Sequence, residues 1–238
     1  MLKTKEERSF MVSAQLAGGL GNQLFQIAAA YSLAINNNSY AEFEFNKHYS
    51  LGQGDSPNQY KSSIFCNIPS TDNAKKEYIF HETKVKDLFY VPNIHLVGFF
   101  QSEEYFAKNR AELLKLLNIK PKNYSNMCSV HVRRGDIKPY LELQYYKQAM
   151  SLFKGFNFLV FSDDLLWCQQ NLAASNVTFV SSGLADQSLL LMSQCENNII
   201  SNSTFSWWAS YINSNKNKIV VAPLSLPPNL HTAQMVFI

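Results

Sequence analysis

Hydrophobic and polar positions divide the chain into two differently patterned halves. Near the start, an apolar run from Phe10 to Leu16 leads into Ala17-Gly18-Gly19-Leu20-Gly21-Asn22. Apolar residues then recur with helical spacing at Leu24, Ile27, Ala28, Tyr31 and Ile35. That order predicts a strand, a glycine turn and a helix from Gln23 to about Ile35. Residues 46–62, carrying Gly52, Gly54, Asp55, Pro57 and Asn58, are polar and predict an exposed loop. Short strands are expected over 40–45, 77–81 and 94–99, and a helix over 103–117 that stops ahead of Pro121. From residue 126 the pattern becomes regular, with strands expected at 127–132, 156–161, 176–180, 197–201 and 218–222. Helical patterns at 143–153, 164–174, 186–195 and 204–214 separate them. Strands alternating with helices of that length imply right-handed crossovers, hence a parallel, doubly wound sheet. Such sheets bind ligands at the carboxyl ends of their strands. Pro121 and the polar stretch from Lys122 to Asn126 mark the boundary between the halves.

Composition narrows the function classes. Apolar residues make up 46% of the 238 and charged residues only 16%, which is a globular composition. A net charge of +3, with no basic run longer than Lys75-Lys76 or Arg133-Arg134, argues against nucleic acid as a partner. Cys66, Cys128, Cys168 and Cys195 are far apart and read as buried thiols. No stretch approaches the ~20 apolar residues of a membrane span. The charged start, Met1 to Arg8, lacks an apolar signal core, so a cytoplasmic protein is expected, with peripheral contact to a membrane left open. His48, His81, His95, His131 and His231 are dispersed and no DxD or HExxH occurs, so no bound metal is expected.

Four segments carry candidate chemistry. His131-Val132-Arg133-Arg134-Gly135-Asp136 directly follows the strand that ends at Val132. A guanidinium fork can hold a diphosphate leaving group bidentately, best where water is excluded. Asp136 could orient one arginine, balance its charge or, as the best-placed carboxylate, act as a base. Taken alone, Arg-Arg-Gly-Asp fits a surface pair with a turn aspartate equally well; the strand-end position favours function. Ser201-Asn202-Ser203-Thr204-Phe205-Ser206-Trp207-Trp208 opens a helix after another strand. Its hydroxyls can cap that helix or help cradle a phosphate, and its tryptophans read as packing. In Phe161-Ser162-Asp163-Asp164, one aspartate can cap a helix while the other binds a base or ribose hydroxyl. The Gly18 to Gln23 turn is neither G-x-G-x-x-G nor a P-loop, yet Gly19 and Gly21 would permit close backbone approach to a ligand.

Together these segments resemble the α-1,2-fucosyltransferases, the family of blood-group H transferases and their bacterial relatives. The matching stretches are Gly18 to Gln26, Gly98-Phe99-Phe100-Gln101-Ser102-Glu103, His131 to Asp136, Phe161 to Asp164 and Asp186 through Ser201 to Ala209. The resemblance implies an α/β, GT-B-like fold of two Rossmann-like halves with the nucleotide-sugar site in the cleft. It implies GDP-β-L-fucose as donor, a glycan acceptor with galactose O2 as the expected position, inversion at the anomeric carbon and no metal. By the same resemblance Arg133 would hold the donor diphosphate with support from Arg134, while His131, Ser203, Thr204 and Phe205 would line the donor. Asp163, with Asp164 beside it, would approach the nucleoside. The glycine-asparagine turn also looks like that of the protein O-fucosyltransferases, which makes Asn22 a candidate catalytic residue beside Arg133 and Asp136. The expected domains are an acceptor-side unit at 1–124, a GDP-sugar-binding unit at 125–222 and a tail at 223–238.

This sequence departs from the family in ways that bear on the acceptor. Residues 46–95 are shortened, Tyr145-Tyr146 follow Asp136 after only eight residues, Asn197 stands where a histidine is common, and the tail lacks a Trp-rich ending. Acceptor specificity resides in loops of this kind. The rival readings are a transferase using another GDP-sugar or another acceptor hydroxyl, and a GDP-sugar-binding module without turnover.

Overall fold

A computed structural model describes residues 10–47, 49, 54–84, 87–135, 138–181 and 183–238. The chain forms two compact units that meet between Ile119 and Lys120. In the N-terminal unit, β1 (Met11–Ala14), β2 (Tyr40–Ala41), β3 (Tyr78–His81) and β4 (Ile94–Val97) form a parallel sheet in the order β2-β1-β4-β3. Helix α1 (Leu20–Asn36) links β1 to β2 and is buried on nearly every side. Ala28, Ala29 and Ala30 have no exposure, so backbone packs closely at its centre. The helix begins three residues before the expected Gln23, because Gly19 O accepts the N–H groups of both Asn22 and Gln23.

Three expectations for this unit are corrected. Residues 46–62 are not simply an exposed loop: Pro57–Tyr60 forms a 3-10 turn whose Pro57 and Tyr60 are buried. The strand expected over 40–45 is only Tyr40–Ala41. The helix expected over 103–117 breaks into 3-10 turns at Glu103–Tyr105 and Ala107–Asn109, followed by α2 (Arg110–Leu116). The cause is Phe106, whose backbone leaves helical geometry (φ −143°, ψ 0°) while its ring packs 5.8 Å from that of Phe25. Burying an aromatic ring outweighs the small helical preference of one residue.

The C-terminal unit holds β5 (Tyr124–Val132), β6 (Asn157–Ser162), β7 (Val177–Phe179), β8 (Cys195–Ile199), β9 (Val220–Ala222) and β10 (Met235–Phe237). All pair in parallel, in the order β10-β9-β8-β5-β6-β7. Helices α3 (Leu143–Ser151), α4 (Leu165–Leu172), α5 (Ala185–Ser193) and α6 (Thr204–Ile212) connect them. Central strand β5 is buried from Cys128 to Val132, as a strand covered on both faces must be. The 223–238 segment, expected as a separate tail, instead completes the sheet: β10 pairs with β9, Val236 opposite Val221. Only a 3-10 turn at Pro228–Leu230, and no α-helix, lies between β9 and β10, so the alternating pattern gave no warning. The fold is α/β with parallel sheets in both units. Among the described residues no helix is long and apolar enough to cross a membrane. Cys128, Cys168 and Cys195 are buried, whereas Cys66 is exposed.

Candidate active site

In the C-terminal unit, strand order reverses between β5 and β8: the chain builds outward through β6 and β7, then returns to β8 on the other side of β5. This is the 3-2-1-4-5-6 arrangement of doubly wound sheets, and ligands bind where the order switches. Three of the four sequence segments singled out above emerge at that point, from the carboxyl ends of the neighbouring strands β8, β5 and β6.

Asp163, just past β6, organises the residues that follow β5. Its Oδ1 accepts from Arg134 N at 2.8 Å and its Oδ2 from Gly135 N at 2.9 Å. Oδ2 also pairs with Arg133 Nη1 at 2.8 Å. One carboxylate thus fixes a backbone turn and the guanidinium that leaves it, with both side chains about one-fifth exposed. Such hydrogen-bonded, partly buried pairs hold geometry far better than surface ion pairs. The expected arginine partner, Asp136, lies outside the described residues.

Arg134 is held differently. Its guanidinium carbon lies 4.1 Å from the ring centre of Trp167 and 4.6 Å from that of Tyr140, and its Nε is 3.5 Å from Asp164 Oδ2. Asp164 is also the cap of α4, its Oδ1 accepting from Trp167 N at 3.0 Å. The two aspartates therefore divide the labour: Asp163 steers Arg133, and Asp164 starts a helix and faces Arg134.

His131 and Ser201 tie the ends of β5 and β8 together through Nδ1 and Oγ, 2.9 Å apart. The imidazole ring lies 5.4 Å from that of Phe205 and is buried. Burial first, then the charge of Arg133, pulls the His131 pKa down to about 4, so the ring is neutral near pH 7. Ser203 caps α6, its Oγ accepting from Phe205 N at 3.3 Å, and Thr204 begins the helix. Trp207 and Trp208 have no exposure; Trp207 Nε1 donates to Leu230 O at 2.7 Å, so both serve the core.

In the N-terminal unit the glycine turn is enclosed by amides that sequence reasoning passed over. Gln23 Nε2 donates to Gly18 O and Asp55 O at 2.8 and 2.9 Å. Gln26 Oε1 accepts from Ala17 N at 2.9 Å, and its Nε2 donates to Gly98 O at 3.0 Å. Both glutamines are buried in a mostly apolar helix. Two amides inside a run of Leu, Phe, Ile and Ala were the available signal, since buried polar groups need partners. Asn22 is half-buried, and its Oδ1 accepts from Gln101 Nε2 at 2.9 Å. Gly18 has φ +73°, and a Cβ on Gly54 would lie 2.5 Å from the Gly18 carbonyl. Gly19 is the uncapped start of α1, and Gly21 is a buried helical residue. Among the described residues no group of three or more His, Cys, Asp or Glu is disposed to hold a metal ion.

Comparisons with known proteins bear on the fold and the family. A solved fucosyltransferase, NodZ from Bradyrhizobium, shares the fold at a TM-score of 0.50 and 14% identity, over 85% of this chain and 93% of that one. An α-1,2-colitosyltransferase of Escherichia coli is 29% identical over 90% of this chain and 91% of its own length. A galactoside 2-α-L-fucosyltransferase of Bos taurus is 25% identical over 92% of this chain and 68% of its own. The sequence model described as glycosyl transferase family 11 matches residues 2–234, nearly the whole chain. The chain is therefore a glycosyltransferase and belongs to glycosyl transferase family 11.

Proposed function

We propose that this glycosyltransferase moves L-fucose from GDP-β-L-fucose to a glycan hydroxyl, galactose O2 being the expected position, with inversion at the fucose C1. One observation carries the reading: Arg133, aimed by the Asp163 carboxylate, stands at the sheet's switch point beside the opening of α6. A fixed guanidinium beside a helix N-terminus suits the two negative phosphates of a nucleoside diphosphate. As the acceptor oxygen bonds to C1, the C1–O bond to the diphosphate breaks, GDP leaves with the electron pair, and the acceptor's hydroxyl proton is released to solvent. Arg133 stabilises that charge, aided by Arg134 and by the Ser203, Thr204 and Phe205 helix start. Asn22 serves the sugar end of the donor, an assignment resting on the glycine-asparagine turn. The reaction needs no metal on this reading, because the arginines supply the positive charge.

The colitosyltransferase relative favours one second reading, a colitose donor in place of fucose. Incubating the protein with GDP-fucose, GDP-colitose, GDP-mannose or UDP-galactose and an array of galactose-terminated glycans, read by mass spectrometry, tests both. Fucose added to galactose is the expected product. Transfer from GDP-colitose alone would replace the donor, and GDP binding without transfer or hydrolysis of any donor would sink the enzymatic reading.

A further inference from the structure

The segment from Gly98 to Gln101 holds a costly shape at the carboxyl end of β4. Gly98 has φ +153° and Phe100 has φ +52°, a left-handed conformation that a phenylalanine rarely adopts. Glu82 keeps it there: its Oε2 accepts from both Phe99 N and Phe100 N at 2.8 Å, and its Oε1 accepts from Tyr105 OH at 3.2 Å. From α1, Gln26 grips the Gly98 carbonyl at the same time. A Cβ on Gly98 would meet the Glu82 Cβ at 2.4 Å, so the turn and the glutamate are fitted to each other. Unfavourable backbone held by several independent bonds needs a consequence, and here it is the delivery of one side chain. Gln101 leaves the turn and its Nε2 reaches Asn22 Oδ1 at 2.9 Å.

We propose that Gln101 is a positioning residue that fixes the orientation of the Asn22 amide, with Glu82 setting the turn from which it acts. An asparagine amide can rotate and exchange its donor and acceptor ends; a donor bound to Oδ1 selects the rotamer in which Nδ2 faces away from Gln101. The inference deepens the proposed function, resting on the assignment of Asn22 to the sugar end of the donor. Gln101 itself touches no reacting atom on this account; it acts through Asn22.

The test is a double-mutant cycle with Gln101→Ala, Asn22→Ala and the pair, read with GDP-fucose as donor. Gln101→Ala is expected to lower kcat roughly 10–100-fold, the range for loss of orientation near a reacting centre. Its GDP affinity and urea midpoint should stay at the wild-type values. In the Asn22→Ala background the same change should cost little, because its target is gone. Gln101→Glu, which cannot donate, should fall as far as Gln101→Ala. A wild-type kcat for Gln101→Ala, or equal losses in both backgrounds, overturns the proposal. If the wild-type chain turns over no GDP-fucose, the donor reading falls, and the positioning is decided by the Asn22 side-chain amide in 15N NMR. A shifted, faster-exchanging Asn22 Nδ2 signal in Gln101→Ala upholds it, and an unchanged signal refutes it.

Discussion

Arg133 and Asp163 depend on each other, and their single-residue substitutions should show it. On the proposed reading the guanidinium stabilises the transition state, so Arg133→Ala should lower kcat by roughly 10²–10³. Asp163→Asn leaves one acceptor oxygen where the two backbone N–H groups and Arg133 Nη1 now share two. It should cost roughly tenfold or more, and the double variant should be little worse than Arg133→Ala alone, since both act on one interaction. Steady-state kinetics on the four proteins would decide it; additive losses would separate Asp163 from Arg133. Gly54 makes a residue-scale prediction about stability. A methyl there would meet Gly18 backbone at 2.5 Å, and backbone cannot swing aside as a side chain can. Gly54→Ala should destabilise by about 1–3 kcal/mol in urea unfolding, and an unchanged midpoint would mean the turn yields freely.

At the scale of elements, what was legible depended on how far a segment's partners lie along the chain. The alternation of strands and helices after residue 126 announced β5, β6, β8 and β9, although only β6 and β9 hold apolar runs and β8 is a largely buried Cys-Glu-Asn-Asn-Ile. The end of the chain was misread. Met235–Phe237 is a short edge strand, and nothing local distinguishes such a strand from a loop. Removal of residues 223–238 should therefore do more than trim a tail. It exposes the edge of β9 and leaves the Trp207 Nε1–H buried without the Leu230 carbonyl. An orphaned buried donor alone costs about 1–3 kcal/mol. The truncated protein should unfold at clearly lower urea and aggregate, as read by circular dichroism and size exclusion. An unchanged midpoint would make the strand dispensable.

For the whole molecule, each unit contains a histidine whose protonation opposes folding. His131 in the C-terminal unit and His95 in the N-terminal unit are both drawn down to about 4, chiefly by burial. Ser13 Oγ and Ser201 Oγ hold them at 2.8 and 2.9 Å. The sign follows from the shift. The folded protein resists the proton that the unfolded chain accepts near its ordinary value of ~6.5, so stability is full above that value and falls as pH drops toward 4. Each histidine should remove about 2 kcal/mol between pH 7 and pH 5. Urea unfolding at those two pH values tests the sum, and His131→Asn should flatten its share of the slope; an undiminished slope in that variant would clear His131.

What the sequence by itself determined was the class of fold, the family and the residue types that follow β5, β6 and β8. Burial periodicity is a local property, and five segments in family order are legible without coordinates. The switch point, the sharing of work between Asp163 and Asp164, the inward-facing His131 and the glutamine cradle of the glycine turn were decided only by tertiary structure. Each is a contact between residues distant in sequence, and the choice among a carboxylate's or an amide's partners is made by whatever the folded chain brings within 3 Å or so of it.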